Sequence, residues 1–142
     1  MTEAVTNYGT LLQRESTPGG AVYVTMGEVC LIAMPELRNN VVEATNHSSG
    51  GYKEFISGGL KEVGEFSATL NYVPNALCSG VMNDVVAGTR RGYKFVFPTT
   101  PSTTWGFNGY VTSFKPSDAD AQTPDVFTAE ITIVPTGSLT IS

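Results

Sequence analysis

A long alternating stretch between residues 105 and 134 constrains the fold of this chain more than any other feature. Two segments, Trp105–Lys115 and Val126–Val134, have the period-two pattern of a β-strand, in which successive side chains point to opposite faces. The connection between them, Pro116–Asp125, is rich in residues that favour turns. The sequence therefore predicts a long β-hairpin around which the rest of the chain packs.

The second strand of this hairpin separates apolar from polar side chains. We expect its apolar face to hold the subunit together, and that face consists of Phe127, Ala129, Ile131 and Ile133. The opposite face carries Val126, Thr128, Glu130, Thr132 and Val134. One packed face and one more polar face are typical of an antiparallel sheet that is solvated on one side.

A second alternating stretch, Gly64–Val73, is followed by a helical pattern. The strand would bury Phe66, Ala68, Leu70 and Tyr72. Asn75 is a candidate N-cap, and Gly88 is placed to end a helix. Between them an apolar stripe recurs at helical spacing, formed by Leu77, Cys78, Val81, Met82, Val85 and Val86. We expect one α-helix near residues 75–88.

Shorter strand patterns lie at Ala21–Ile32, Val41–Thr45 and Tyr93–Phe97, and Ser138–Ser142 could add an edge strand. Strands, one helix and further strands in this order predict a mainly β fold, a mostly antiparallel sandwich or barrel with the helix across an open side. At 142 residues, we expect a single domain spanning 1–142.

The segment Asn46–Val63 differs from the rest, because glycines and serines alternate there with aromatic and aliphatic residues. A long connection without periodic structure is uncommon in a compact domain, and it is usually functional or disordered. Its apolar residues argue against simple disorder. We interpret it as a loop that docks onto a partner.

Composition excludes several classes of function. The chain has 13 carboxylates against 8 lysines and arginines, so it lacks the basic footprint of a general nucleic-acid binder. No apolar run approaches the roughly 20 residues of a membrane helix, and the first seven residues lack the apolar core of a signal peptide. Cys30 and Cys78 are too few for a disulfide framework, and we expect both to be buried thiols of a soluble protein made in the cytosol.

The residues that carry chemistry form no recognisable site. His47 is the only histidine and has no ligand spacing around it. Glu65 and Glu130 could in principle form a glycosidase-type pair, but both fall on polar strand faces, where solvated carboxylates are ordinary. The glycine pairs lack the context of a phosphate-binding loop. We therefore expect no enzyme activity, no cofactor and no metal.

Thr104–Pro116, together with Val126–Pro135 and the ending Thr136–Thr140, resembles the major tail tube proteins of long-tailed, non-contractile, lambda-like phages. Upstream, Gly64–Pro74 is similar to a glycine, alternating strand and Asn-Tyr-x-Pro element of that family, and the helix and Tyr93–Pro98 follow in the same order. The resemblance covers nearly the whole chain and lies in the order and spacing of elements.

The resemblance implies the phage tail tube fold and a structural role in the virion tail. Hexameric rings would stack into a hollow tube, built around a tape-measure protein and completed by tail tip and terminator proteins. The genome would pass through the lumen without specific binding, and no membrane would be involved. The subunit would be made in the cytoplasm of the bacterial host, without a C-terminal immunoglobulin-like domain.

The same resemblance assigns roles to particular residues. The long loop would stack successive rings through His47, Tyr52, Phe55, Ile56 and Leu60. The polar strand faces would line the lumen or face solvent through Glu65, Ser67, Thr69, Thr128, Glu130 and Thr132. Two alternatives remain open: a secreted ring protein of type VI secretion, and a carbohydrate-binding β-sandwich module that stacks sugars on Trp105, Phe107 or Tyr110.

Overall fold

The structure is a computed structural model that describes residues 4, 6–27, 29–72, 76–99, 101–119, 121–122 and 125–142. Over these ranges the chain forms strands and one helix in an order that matches the sequence pattern. The elements are β1 (Leu11–Glu15), β2 (Tyr23–Thr25), β3 (Val29–Ala33), β4 (Leu37–Glu43), β5 (Phe55–Val63), β6 (Phe66–Asn71), α1 (Ala76–Ala87), β7 (Arg91–Phe97), β8 (Thr103–Pro116) and β9 (Thr128–Ile141).

Seven strands form one antiparallel sheet in the order β2-β1-β7-β8-β9-β6-β3, and β4 pairs with β5 in a separate two-stranded sheet. The prediction of a mainly β, antiparallel fold with one helix is therefore confirmed. The sheet curls, because strands twist and bulges add local bends.

The predicted hairpin is the centre of the large sheet. Its strands β8 and β9 are each 14 residues long and pair from Trp105 opposite Ile141 to Pro116 opposite Ala129. The register shifts twice along β8, which bends the pair. The second strand is longer than expected, and residues 138–141 continue β9 against β8 instead of forming a separate strand.

The core forms where the apolar faces of β6, β7, β8 and β9 meet the helix. Ile131 and Ile133 are fully buried, and Phe66 packs edge-on against Phe95 and Phe107 with ring centroids 4.8 and 5.4 Å apart. The expectation that Phe127 belongs to this core is wrong. Phe127 lies just before β9 and is 46% exposed. The alternating sequence pattern therefore begins before the packed strand does.

The helix spans Ala76–Ala87, close to the predicted range, whereas Asn75 and the Leu77 side chain lie outside the described residues. Cys78 and Val81 are buried, and Cys30, also expected to be buried, lies exposed on β3. Val86 is 89% exposed, because five residues of helix place it about 140° around the axis from Val81. Gly88 ends the helix with a positive φ of 68°, as the sequence predicts.

The helix also buries a charged residue that the apolar pattern conceals. Asp84 is 3% exposed, and its carboxylate accepts hydrogen bonds from Arg14 at 2.7 Å and from Arg91 at 2.9 Å. Arg14 passes so close to the helix that a Cβ at position 80 would lie 2.9 Å from its guanidinium, which explains the glycine there. This group of charges ties α1 to β1 and β7.

A second buried carboxylate closes the turn after β1. Glu15 accepts hydrogen bonds from the amide groups of Gly19, Ala21 and Gly92 at 2.9, 3.2 and 3.3 Å. Burial alone would raise the pKa of Glu15, but these amide donors, together with the charge of Arg91, outweigh burial and lower the pKa. The carboxylate is therefore a structural acceptor in its ionised form.

We predict that Asp84→Asn lowers the free energy of unfolding in urea by about 3–5 kcal/mol, because it leaves two buried guanidinium groups without their carboxylate. The matched control is Glu62→Gln, which breaks an ion pair to Arg38 whose side chains are more than half exposed. The control should cost less than about 1 kcal/mol. Equal losses in the two variants would show that the buried group has no special role.

We also predict that wild-type stability falls more steeply with acidification than that of Glu15→Gln. A lowered pKa in the folded state means that the contribution of Glu15 is present above its unfolded value of 4.5 and is lost as the pH falls through the folded value. Melting temperatures of both proteins between pH 6 and pH 3 measure this. If the melting temperatures of the two proteins fell in parallel with pH, the lowered pKa of Glu15 would be contradicted.

Candidate assembly surface

The segment expected to be a loop contains a strand, β5, which pairs with β4 in a β-hairpin separate from the main sheet. We call β4, β5 and the turn between them, residues 37–63, the arm. The expectation of a connection without regular structure over Asn46–Val63 is wrong for Phe55–Val63, which forms β5. Gly58 and Gly59 break the alternation there, and they belong to a bulge that inserts extra residues opposite β4.

Both faces of the arm are open to solvent. Every residue of β4 is exposed, as is every residue of β5 except Val63. Seven large apolar side chains of the arm are exposed, namely Leu37, Val41, Val42, Tyr52, Phe55, Ile56 and Leu60. A two-stranded hairpin alone is marginally stable in water, and exposed apolar side chains gathered in this way are typical of a surface that contacts another molecule.

The register of the arm assigns these residues to two faces. Glu43 lies opposite Phe55 on one face, which Val41 shares. Val42 lies opposite Ile56 on the other face. Apolar side chains are therefore available on both sides of the distal half of the arm.

The turn at the distal end of the arm holds His47 and Tyr52. The Asn46 side chain accepts a hydrogen bond from the Ser48 amide at 2.8 Å, and the Asn46 carbonyl accepts one from Ser49 at 3.0 Å. His47 is exposed and Tyr52 is 79% exposed. The five predicted stacking residues are thus all on the arm, with Leu60 nearer its base, at the bulge.

The pairing of the hairpin continues to the base of the arm, which lies beside a groove. The Gly64 amide donates to the Glu36 carbonyl at 2.8 Å, and Arg38 pairs with Glu62 at 3.1 Å. Between the arm and Gly137–Leu139 of β9 lies an open cavity of about 750 Å³. Sequence patterns gave no signal for this groove, because its two sides are far apart in the chain.

The predicted polar face comes together across β6 and β9. Ser67 pairs with Thr132, Thr69 with Glu130 and Asn71 with Thr128. Lys115 of β8 lies opposite Glu130 on the other side of β9. The result is a hydroxyl-rich face on the side of the sheet away from the core.

Glu65 does not lie within this paired face. It precedes β6, is exposed, and lines a cavity of about 420 Å³ at the base of the arm together with Arg38 and Lys61. Its side chain belongs to the surroundings of the arm, since the ladder between β6 and β9 begins only at Phe66.

The aromatic residues proposed as a sugar platform are not gathered on one surface. Phe107 is buried in the core, and Trp105 packs edge-on against Phe97 at 5.2 Å. Tyr110 is 40% exposed and lies on the opposite face of β8. Within the described ranges, no cluster of His, Cys, Asp and Glu is suited to a metal ion, and no helix is long and apolar enough to cross a membrane.

No protein-family model matches the sequence, and no curated protein matches it. Solved structures, however, are similar over nearly the full length of this chain. A chain from the tail of an empty gene transfer agent particle, refined with C6 symmetry, has a TM-score of 0.73 at 14% identity and covers 93% of this chain and 95% of its own. The fold is that of a tail tube protein.

Two further structures extend the likeness to other kinds of particle. The sheath-tube complex of the PVC extracellular contractile injection system has a TM-score of 0.70 at 11% identity, covering 99% of this chain and 92% of its own. The SPP1 tail tube has a TM-score of 0.65 at 9% identity, covering 93% and 75%. At sequence identities this low, the structural similarity shows the fold alone.

We predict that the arm contributes little to the stability of the free subunit. Ile56→Ala on the arm should change the free energy of unfolding by less than about 1 kcal/mol, because the side chain is 58% exposed. The same change at fully buried Ile131 should cost about 2–5 kcal/mol. Urea unfolding of both variants measures the contrast, and a large loss at Ile56 would mean that the arm packs on its own subunit.

Proposed function

We propose that this protein is a structural subunit of a tail tube, in a phage or a phage-derived particle. The observation that carries the proposal is the arm, which exposes apolar side chains on both faces and lacks cover in the described structure. A subunit that assembles into a larger body supplies that cover from its neighbours. The tail tube fold supports the same role.

We propose further that the subunits form hexameric rings. The large sheet ends in β2 on one side and β3 on the other, and such edges have backbone groups free to pair with another chain. A closed ring removes these edges by joining subunits around an axis. The C6 symmetry of the gene transfer agent tail supports six as the number of copies.

The arm would then contact the next ring of the stack through Tyr52, Phe55, Ile56 and Leu60, with His47 at its end. The proposed partners are other copies of the chain, a tape-measure protein, and tail tip and terminator proteins. We propose that the protein is located in the virion tail and made in the bacterial cytoplasm. The resemblance around Trp105 favours a long, non-contractile tail.

The hydroxyl-rich face of β6 and β9 is the proposed lumen side. Its charged side chains Glu130 and Lys115 lie opposite each other, so the face has little net charge of either sign. DNA is retained by cationic contacts that displace its counterions, and a surface without an excess of cations lets it slide. This role is structural and needs no catalytic residue.

Electron microscopy of the purified protein tests the proposal. Wild-type protein should form rings or tubes of uniform diameter, whereas a triple variant with serine at Tyr52, Phe55 and Ile56 should fold but fail to form tubes. The triple variant Tyr8→Ser, Val86→Ser and Val126→Ser is the matched control, because these apolar residues are exposed outside the arm and outside the edge strands β2 and β3. A wild-type protein that stays monomeric at high concentration, or an arm variant that assembles normally, would contradict the proposal.

A further inference from the structure

The groove at the base of the arm has apolar side chains on both sides and one lysine, Lys61, without an ion pair among the described residues. Leu37 and Val63 lie opposite each other on one side of it, and Leu139 of β9 lies on the other. An aromatic side chain could pack against the apolar lining, and a neighbouring carboxylate could pair with Lys61.

The distal half of the arm presents that combination. Phe55 is 56% exposed and stands directly opposite Glu43, so ring and carboxylate share one face. The Glu43 carboxylate accepts a hydrogen bond from Thr45 at 3.0 Å, and the structure gives it no ion pair among the residues described. The groove and this surface are therefore complementary in apolar character and in charge.

The two surfaces cannot meet within one subunit. Lys61 pairs with Asn39, and Glu43 lies four residues further along β4. At a rise of about 3.3 Å per residue, the two side chains start roughly 13 Å apart on the same face of a stiff hairpin. A second copy of the chain can bring them together.

We propose that Phe55 of one copy enters the groove at the base of the arm of a neighbouring copy, where Glu43 pairs with Lys61. This inference rests on the proposed function and names the partner surface of the arm. Each copy has one donor surface and one acceptor groove, and they differ from each other. Such a contact is heterologous, so it repeats from copy to copy and builds a ring or a stack instead of stopping at a dimer.

The two parts of the contact have different tasks. The aromatic ring removes a large apolar area from water, which holds the copies together. The ion pair lies at the rim of an open groove and fixes the register of the contact more than its strength. Charge reversal should therefore prevent assembly through repulsion, and reversal on both sides should restore it.

Four samples test the contact by electron microscopy and sedimentation: Glu43→Lys, Lys61→Glu, the double variant, and an equimolar mixture of the two single variants. Each single variant should assemble at least tenfold less than wild type while keeping its melting temperature, since both positions are exposed. The double variant and the mixture should both form tubes, because each then offers opposite charges between copies. Asp118→Lys is the matched control, since it reverses an exposed carboxylate that lies outside the arm.

The outcomes separate this contact from the proposed function. If the single variants assemble as wild type does, the contact is wrong although tube formation stands. If the single variants fail and neither the mixture nor the double variant assembles, each charge faces some other partner, and the pairing is overturned. If wild type itself forms no rings or tubes, the proposed function fails and this contact fails with it.

Discussion

The pairing of β8 with β9 is the interaction on which the rest of the structure depends. These two strands lie in the middle of the large sheet, so β7 and β1 build outward from one and β6 and β3 from the other. Their inward side chains, including Phe107, Ile131 and Ile133, form the centre of the core. The bulges that bend the pair curl the sheet around these side chains, and the helix closes the open side.

The subunit has one region with its own packed core, the large sheet with its helix, and one region without a core, the arm. The large sheet has a packed core, and the Asp84 carboxylate with its two arginines fixes the helix to it. The arm has neither a core nor buried charges, although it displays as much apolar character as a core strand. The proposed assembly would use this division, since one region would fold before assembly and the other would gain its cover from neighbouring copies.

Period-two alternation predicted β6, β8 and β9 because each has one buried face, and the pattern in sequence records that burial directly. It did not predict β5, since both faces of the arm are exposed and Gly58 and Gly59 interrupt the pattern at a bulge. The helical stripe predicted α1 but not its buried Asp84. The burial of this carboxylate depends on its ion pairs with Arg14 and Arg91, and the sequence does not show that these residues meet in the fold. The groove beside Leu139 joins segments distant in the chain, which no local pattern reveals.

Hydrogen exchange, measured residue by residue in the free subunit and in assembled tubes, tests the central claim most directly. If neighbouring copies cover the arm, backbone amides of Val41–Glu43 and Phe55–Ser57 should exchange quickly in the free subunit and become strongly protected in tubes. Amides of β9 around Ile131 should be protected in both states. Equal exchange of the arm in the two states would contradict the account.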